Sequence, residues 1–203
     1  MQMKKGFSKY FPLGQHFLTE EEVSYIEKRL RIFPLEDITI GDAGEINNCK
    51  VGRLMEDQPQ TMPNKLNKEL SEPILNLYQT SKAKEFFAQF LKTDKDQFIR
   101  RSQFNLLGEK SFVGRHLDID SNPKYQIAAV LQLGSRFTGG EFVVYPSKES
   151  TEDDAQVIKP EYGSLTISFC DFEHEVKEVT SGVRTSFVSF ISNYKGVNQR
   201  KIN

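Results

Sequence analysis

Three side chains with the chemistry of metal ligands occur at a defined spacing in the second half of the chain. His116 and Asp118 form a His-x-Asp motif, and His174 follows 56 residues after Asp118. Two imidazoles and one carboxylate leave positions open on an octahedral ion, and this ligand set is typical of non-heme Fe(II) sites that react with dioxygen. The spacing therefore predicts a redox-active iron centre whose ligands and catalytic residues are His116, Asp118 and His174.

Strands would bring these ligands together. Residues i and i+2 of a strand project from the same face, so His116 and Asp118 would lie side by side while Leu117 points to the opposite layer. His174 follows the β-branched and aromatic run SLTISFCDF, residues 164–172, which is typical of a neighbouring strand. A structural zinc site is disfavoured, because such sites are normally closed by four ligands and neither cysteine lies near the triad in sequence.

A cationic residue follows the second histidine at a position that suits carboxylate binding. Arg184 lies ten residues after His174 and opens another strand-like run, and Ser186 shares its face. A guanidinium offers a planar fork of donors with a permanent charge, and the Ser hydroxyl adds a further donor. We therefore expect a dicarboxylate to bind at Arg184 and Ser186.

These motifs resemble those of the Fe(II)- and 2-oxoglutarate-dependent oxygenase superfamily and are most similar to its prolyl-4-hydroxylase-like branch. The resemblance covers residues 99–192: GRHLDID resembles the first iron-binding strand, TGGEFVVYP the hairpin that follows, and HEVKEVTSGVR the distal ligand with its basic residue. It implies that the triad binds Fe(II) and that 2-oxoglutarate and O2 are cosubstrates. It also implies that Arg184 pairs with the distal carboxylate of 2-oxoglutarate and that Ser186 assists it.

The activity that this resemblance implies is hydroxylation of an unactivated C–H bond, with release of succinate and CO2. The expected substrate is a small molecule such as an amino acid, because the chain carries no appended recognition domain. A peptidyl, prolyl-type hydroxylase acting on a protein is the alternative. A non-catalytic metal-binding jelly-roll module is a further alternative, which the intact triad and Arg184 disfavour.

One position departs from the family pattern. Many members carry a Tyr on the strand before the first ligand as a further contact to 2-oxoglutarate, and the corresponding place here holds Leu107. Alternation along RRSQFNLL puts Arg101, Gln103 and Asn105 on the same face as Leu107. Gln103 and Asn105 are therefore the predicted contacts to cosubstrate or substrate, and Arg101 is the next candidate for a carboxylate anchor.

Contacts to the substrate are expected outside the triad. The segment 37–64 is rich in Gly, Asn, Asp and Pro and is predicted to be mostly loop, of which 46–64 could fold over the iron as a lid. The candidates for substrate contact are Arg53, Asn47, Asn48 and Arg115. A position on a solvated loop or on the exterior of the barrel is the competing interpretation for each of them.

Hydrophobic periodicity predicts helices in the first half of the chain and strands in the second. Thr19 and Glu22 form a capping box ahead of a helical repeat that runs to Phe33, and a second helical stretch is predicted over 74–91. Strands are predicted at 49–55, 98–107, 112–118, 125–133, 141–145, 164–170 and 184–192. This order indicates an α+β fold. The resemblance implies a double-stranded β-helix, a jelly-roll barrel with the N-terminal helices packed on one sheet.

Length and composition indicate one domain, with residues 1–96 as helical support and lid region and 97–203 as the catalytic jelly-roll core. The 203 residues carry a formal net charge of −1, which gives no overall field for nucleic acid or an anionic membrane. Cys49 and Cys170 show no pairing pattern, and His16 is predicted to be a surface or capping residue. Without a signal-like segment or a run of ~20 apolar residues, we expect a cytoplasmic protein.

Overall fold

Two antiparallel β-sheets face each other in the computed structural model of the chain, which describes residues 7–40 and 46–201. Within these residues the larger sheet has eight strands, the smaller sheet has four, and two further strands pair with each other. Residues of both main sheets line one cavity between them. The architecture confirms the predicted α+β jelly roll, although the two sheets share no strand pairing in the described part of the chain and so form no closed barrel.

The strands of the larger sheet run in the order β1-β11-β7-β14-β5-β3-β2, with β4 paired to β3. Their bounds are β1 Ser8–Phe11, β2 Glu36–Ile40, β3 Ile46–Glu56, β4 Asn64–Lys65, β5 Phe98–Leu107, β7 Ile127–Leu133, β11 Leu165–Phe169 and β14 Arg184–Ser192. The smaller sheet consists of β6 Val113–His116, β9 Phe142–Val144, β10 Gln156–Ile158 and β12 His174–Val176. The separate pair is β8 Phe137–Gly139 with β13 Val179–Gly182.

Three helices precede the strand-rich half in the described residues: α1 Glu20–Leu30, α2 Lys68–Leu77 and α3 Ser81–Leu91. The capping box predicted for α1 is present, with Thr19 accepting from the Glu22 amide and Glu22 accepting from the Thr19 amide. The single helix predicted over 74–91 is wrong. The chain breaks into α2 and α3 because the Thr80 hydroxyl accepts from the Ala83 amide and so starts a new helix. No helix in the described ranges is long and apolar enough to cross a membrane.

The helices pack on the face of the larger sheet that points away from the cavity. Val23 of α1, Ile74 of α2 and Phe87 of α3 join one core cluster with Phe104 of β5 and Phe187 of β14. The rings of Phe104 and Phe187 lie 5.1 Å apart, and both side chains are fully buried. Burial of each such side chain stabilises the fold by about 1.5–3 kcal/mol, so this layer holds β5 and β14 in fixed positions.

The strands that carry the predicted site residues lie close to the predicted bounds. β5 and β14 coincide with the predicted ranges 98–107 and 184–192, and each is paired with the other along its length. The strand predicted over 112–118 is shorter, because β6 ends at His116 and Asp118 begins a short 3-10 helix, Asp118–Asp120. Asp118 is therefore displaced from the strand on which it was predicted to lie.

The segment 37–64 differs most from its prediction. β3 pairs with β5 over Cys49–Met55 and with β2 on its other side, which confirms the strand predicted over 49–55 and extends it to Ile46–Glu56. β2 was predicted as loop, because pairing partners distant in sequence leave no local signal. Residues 41–45 of the predicted loop lie outside the described residues.

Candidate metal and 2-oxoglutarate site

His116 and His174 are direct neighbours across two strands of the smaller sheet. His116 is the last residue of β6, His174 is the first of β12, and the two are partners in the antiparallel register. Their ring centroids lie 4.5 Å apart. The predicted third ligand, Asp118, completes a cluster in which the candidate ligand atoms lie within 4.8 Å of one another. One ion can therefore contact all three side chains.

Each imidazole is oriented by a backbone carbonyl. Nδ1 of His116 lies 2.7 Å from the Gly114 carbonyl oxygen, and Nδ1 of His174 lies 3.1 Å from that of Phe172. A carbonyl only accepts, so each Nδ1 carries the proton and each Nε2 offers a lone pair. The Nε2 atoms lie 3.6 Å from the two carboxylate oxygens of Asp118, one on each.

Asp118 is buried and ionised. Burial raises its pKa, but the positive charge that His174 and His116 carry when protonated, together with that of Arg101, lowers it by more, so that its pKa lies below the ordinary value. Oδ2 is buried and accepts no hydrogen bond. Leu117 is extended, so the i and i+2 geometry of a strand persists from His116 to Asp118 although the strand itself has ended. A buried carboxylate oxygen without a donor, facing two imidazole lone pairs, fits a divalent cation.

Arg184 and Ser186 lie at the start of β14 and line the same cavity as the triad. Both side chains are buried, and among the described residues neither Nε of Arg184 nor Oγ of Ser186 has a hydrogen-bond partner. Burial lowers the pKa of Arg184 to about 10, and Glu141 counters this only in part. A guanidinium that remains charged at neutral pH and lacks a partner fits an anionic guest such as a carboxylate.

The cavity between the sheets is partly open to solvent. It is lined by polar groups around the triad, Arg184 and Ser186 and by an apolar wall of Val130, Val188, Phe190 and neighbouring side chains. Leu107 and Asn105 of β5 line it, as the alternation along that strand predicts. Leu107 provides no hydroxyl, whereas the Asn105 amide is available near Ser186, its partner across the β5–β14 pair.

Gln103 does not line the cavity but connects two residues on its β5 face. Its Oε1 accepts from Nε of Arg101 at 2.9 Å, and its Nε2 donates to Oδ1 of Asn105 at 2.6 Å. Because this bond engages Oδ1 of Asn105, the amide NH2 group of Asn105 is left to donate into the cavity. The structure thus places Asn105 in the site and Gln103 behind it.

Arg115, predicted as a possible substrate contact, lies outside the cavity lining. Its guanidinium donates to Glu173 at 2.7 Å and to the carbonyl oxygens of Ser147, Lys148 and Ser150. It also lies 3.7 Å from the ring centroid of Tyr145. These contacts hold the loop that follows β9, so Arg115 has no donor directed at the triad.

The three candidates on β3 are also absent from the cavity lining. The Asn47 side chain accepts from the Phe112 amide and donates to the Phe112 carbonyl, which fixes the approach to β6. Asn48 is exposed and bonds through its backbone to Ser111. Arg53 forms an exposed ion pair with Glu36 at 3.4 Å. We therefore assign these residues to strand pairing and the surface.

Two features of the site escaped the sequence prediction. A Cβ atom on Gly140 would lie 2.7 Å from Cδ of Arg184, so the glycine gives this side chain its space in addition to its place in a turn. Cys170 is buried next to Asp118, and burial, followed by the charge of Asp118, raises the pKa of its thiol. Both contacts join residues more than 40 positions apart, so neither has a local sequence signal.

A buried ion pair supports the turn that follows Asp118. Nε and Nη2 of Arg100 donate to the two carboxylate oxygens of Asp57 at 3.2 and 3.0 Å, and both side chains are almost fully buried. The Asn122 amide donates to the same carboxylate at 2.7 Å. The Asn198 amide donates to the backbone carbonyls of Asp57 and Ser121. This network fixes the chain four residues after Asp118.

The chain is similar to known oxygenases. Residues 102–192 match the model of the 2OG-Fe(II) oxygenase superfamily. A crystal structure of an oxidoreductase of the 2OG-Fe(II) oxygenase family from Burkholderia pseudomallei is 36% identical, with a TM-score of 0.89 over 96% of this chain and 89% of that one. The sequence has no significant match among curated proteins.

Two more distant structures share the fold. A prolyl-4-hydroxylase from Pseudomonas putida is 17% identical over 91% of each chain, with a TM-score of 0.63. A prolyl hydroxylase from Trichoplax adhaerens, in complex with a peptide fragment of hypoxia inducible factor, is 11% identical over 96% of this chain and 86% of that one, with a TM-score of 0.62. At these identities the likeness concerns the fold alone.

Proposed function

Because the chain belongs to the 2OG-Fe(II) oxygenase family, we propose that it hydroxylates an unactivated C–H bond of a small molecule. Membership makes it an oxidoreductase that uses Fe(II), 2-oxoglutarate and O2. In the balanced reaction one atom of O2 enters the new hydroxyl group and the other enters succinate, while 2-oxoglutarate loses CO2. Iron, when bound, supplies the O2 chemistry that protein side chains lack.

The buried guanidinium of Arg184 beside the triad is the main observation that supports this proposal. Arg184 and Ser186 have unpartnered polar atoms in the cavity that contains His116, Asp118 and His174. A charge that is buried and unpaired destabilises a protein by several kcal/mol, so it is expected to gain a partner when the protein works. The distal carboxylate of 2-oxoglutarate is that partner, and Asn105 provides a further donor from β5.

Each residue of the triad has a distinct task in this assignment. His116 and His174 offer Nε2 to the iron, and their Nδ1–H bonds to backbone carbonyls hold the rings in that orientation. Asp118 stays ionised at neutral pH because its pKa is lowered, so it contributes a negative charge without first losing a proton. The apolar wall beyond the triad limits water near the reacting C–H bond.

The position of the cavity supports a small substrate. Residues of both sheets line it, so the triad, Arg184 and Ser186 lie in a recess between two layers and not on an open surface. A recess of this kind suits a small molecule.

Succinate formation in the absence of any added substrate tests the assignment. The wild-type protein with Fe(II), 2-oxoglutarate and O2 should release succinate slowly, and omission of any one of the three should stop it. His174→Ala should abolish this turnover and weaken iron retention, because two protein ligands remain where three are needed. His16→Gln is the matched control, since His16 lies outside the cavity lining, and it should keep the wild-type rate.

Two outcomes would redirect the proposal. Wild-type turnover by His174→Ala at limiting Fe(II) would remove His174 from the ligand set. Iron binding without any succinate would favour a non-catalytic module. A screen of metabolites and peptides for faster succinate release then distinguishes a small-molecule hydroxylase from one that acts on a peptide.

A further inference from the structure

A second arginine, Arg101, shares a face of β5 with the cavity residues Asn105 and Leu107, at the end opposite Arg184; it does not line the cavity itself but lies beside Phe190, which does. It alternates with Gln103, Asn105 and Leu107 on that face. In the β5–β14 register Arg184 pairs with Leu107, whereas Arg101 pairs with Phe190, which also lines the cavity. Six residues of strand separate the two positions, or about 20 Å at roughly 3.3 Å per residue. A five-carbon dicarboxylate bound to Arg184 is too short to reach Arg101.

The guanidinium of Arg101 is held in place from two sides. Its Nε donates to Oε1 of Gln103 at 2.9 Å. Its Cζ lies 5.6 Å from the centroid of the Phe190 ring, which stacks on the Tyr125 ring at 4.8 Å with an angle of 16° between the planes. Contacts of this kind restrict a side chain that otherwise has much rotamer freedom, so the two terminal nitrogens are presented in a defined direction.

The charge of Arg101 has no neutralising partner. Within residues 7–40 and 46–201 no carboxylate lies within ion-pair distance of it, and the bond to neutral Gln103 is its one hydrogen bond. Three other arginines form ion pairs: Arg53 with Glu36, Arg100 with Asp57 and Arg115 with Glu173. A partly buried, oriented and unpaired guanidinium is the arrangement expected of a binding group for an anion.

We propose that Arg101 binds an anionic group of the substrate, so that the substrate is a small organic acid whose carboxylate lies at Arg101 and whose reactive C–H bond lies at the triad. The triad lines the same cavity as Arg184 and as Phe190, the ring beside Arg101. Arg184 then selects the cosubstrate and Arg101 selects the substrate. This inference rests on the proposed oxygenase function.

A panel of matched acids and amides tests the substrate class without any mutation. The twenty amino acids and a series of short aliphatic and aromatic carboxylic acids are each paired with their primary carboxamides and added to the wild-type enzyme with Fe(II), 2-oxoglutarate and O2. At least one acid should accelerate succinate formation above the background without added substrate, and its carboxamide should do so at least tenfold less well. If no acid accelerates turnover, or if acid and amide are equivalent, the inference is wrong.

Variants then assign the discrimination to Arg101. Arg101→Gln should raise the Michaelis constant for the active acid at least tenfold and abolish the preference for acid over amide, whereas the Michaelis constant for 2-oxoglutarate should stay unchanged. Arg101→Lys should recover part of the preference, because the charge returns without the forked geometry. Arg29→Gln is a matched control, since Nε of Arg29 donates to Tyr25 and its guanidinium lies over that ring on α1.

The two proposals fail in different ways. If Arg101→Gln changes the Michaelis constant for 2-oxoglutarate instead, Arg101 is a cosubstrate anchor and not a substrate anchor. If it changes neither constant and leaves the preference intact, Arg101 only packs against Phe190. Background succinate formation by the wild-type enzyme persists in both cases. The proposed oxygenase function would then remain supported, whereas the assignment of Arg101 to the substrate would be wrong.

Discussion

Gly140 and Arg184 are in such close contact that a methyl group on the glycine would lie 2.7 Å from Cδ of the arginine. Gly140 connects β8 to β9, where the chain passes from the separate two-stranded pair to the smaller sheet, and its φ is +67°. The absence of a side chain at Gly140 therefore allows a left-handed backbone conformation and leaves space for the buried guanidinium of Arg184.

Gly140→Ala should displace Arg184 and weaken the binding of the cosubstrate. We expect the Michaelis constant for 2-oxoglutarate to rise about tenfold, equivalent to about 1.4 kcal/mol, with little change in iron affinity. Gly134→Ala is the matched control, because Gly134 has a φ of +66° but an added Cβ would meet Thr185 at an ordinary 3.6 Å. Equal effects of the two substitutions on this constant would show that backbone strain, and not contact with Arg184, is responsible.

Asp57→Asn should destabilise the fold strongly, because it leaves the buried Arg100 guanidinium without a counter-charge. Loss of one partner of a buried ion pair costs about 3–5 kcal/mol, which urea unfolding measures directly. The exposed pair between Glu36 and Arg53 provides the control, since Glu36→Gln should change stability by no more than about 1 kcal/mol. A loss below about 1 kcal/mol for Asp57→Asn would contradict the assigned dependence of Arg100 on Asp57.

His16 should make the fold sensitive to mild acid. The ring is buried, accepts from the Leu18 amide at Nδ1 and donates from Nε2 to the Gly163 carbonyl at 2.7 Å, so the neutral form is the one that fits. Burial lowers its pKa, and Lys82 adds to this, although the Gly163 carbonyl opposes it.

Because the folded pKa of His16 is below the unfolded value of about 6.5, the unfolded chain takes up the proton first as the pH falls. Its contribution to stability is therefore full above about pH 6.5 and declines as the pH falls below that value, by at most about 1.4 kcal/mol per pH unit. Urea unfolding of wild type and His16→Gln between pH 7.5 and 5.5 measures this. Gln keeps a donor for Gly163 but does not titrate, so an equal decline in both proteins would contradict the role of His16.

The triad was predictable from sequence because local geometry brings most of it together. His116 and Asp118 are two residues apart in extended chain, and Arg184 and Ser186 are two apart on one strand, so the alternation of a strand places each pair on one face. Only the approach of His174 depends on distant pairing, and the resemblance to a known family supplied that expectation.

The remaining parts of the site depend on pairings that a single sequence does not encode locally. A strand was predicted over 49–55, but its pairing with β5 and β2 was not, and these pairings give Asn47 and Arg53 roles in strand pairing and at the surface. His16 is buried and not a surface residue, because Gly163, 147 positions later, provides its acceptor. Hydrophobic periodicity predicts on which face of its own helix or strand a residue lies, but not which other element packs against that face.

Titration of the Fe(II) protein with 2-oxoglutarate under nitrogen is the most direct test of the assigned centre. Chelation of Fe(II) by 2-oxoglutarate gives a weak visible charge-transfer band, which we expect on titration of the wild-type protein. Arg184→Ala should need at least tenfold more 2-oxoglutarate, because truncation of one partner of a buried, hydrogen-bonded charge pair costs about 2–5 kcal/mol, and Arg184→Lys should recover part of this. Iron affinity should change little in both variants. A wild-type protein that gives no such band, or an Arg184→Ala variant that binds 2-oxoglutarate as tightly as wild type, would contradict the assignment of Arg184 as the anchor of the cosubstrate beside the iron.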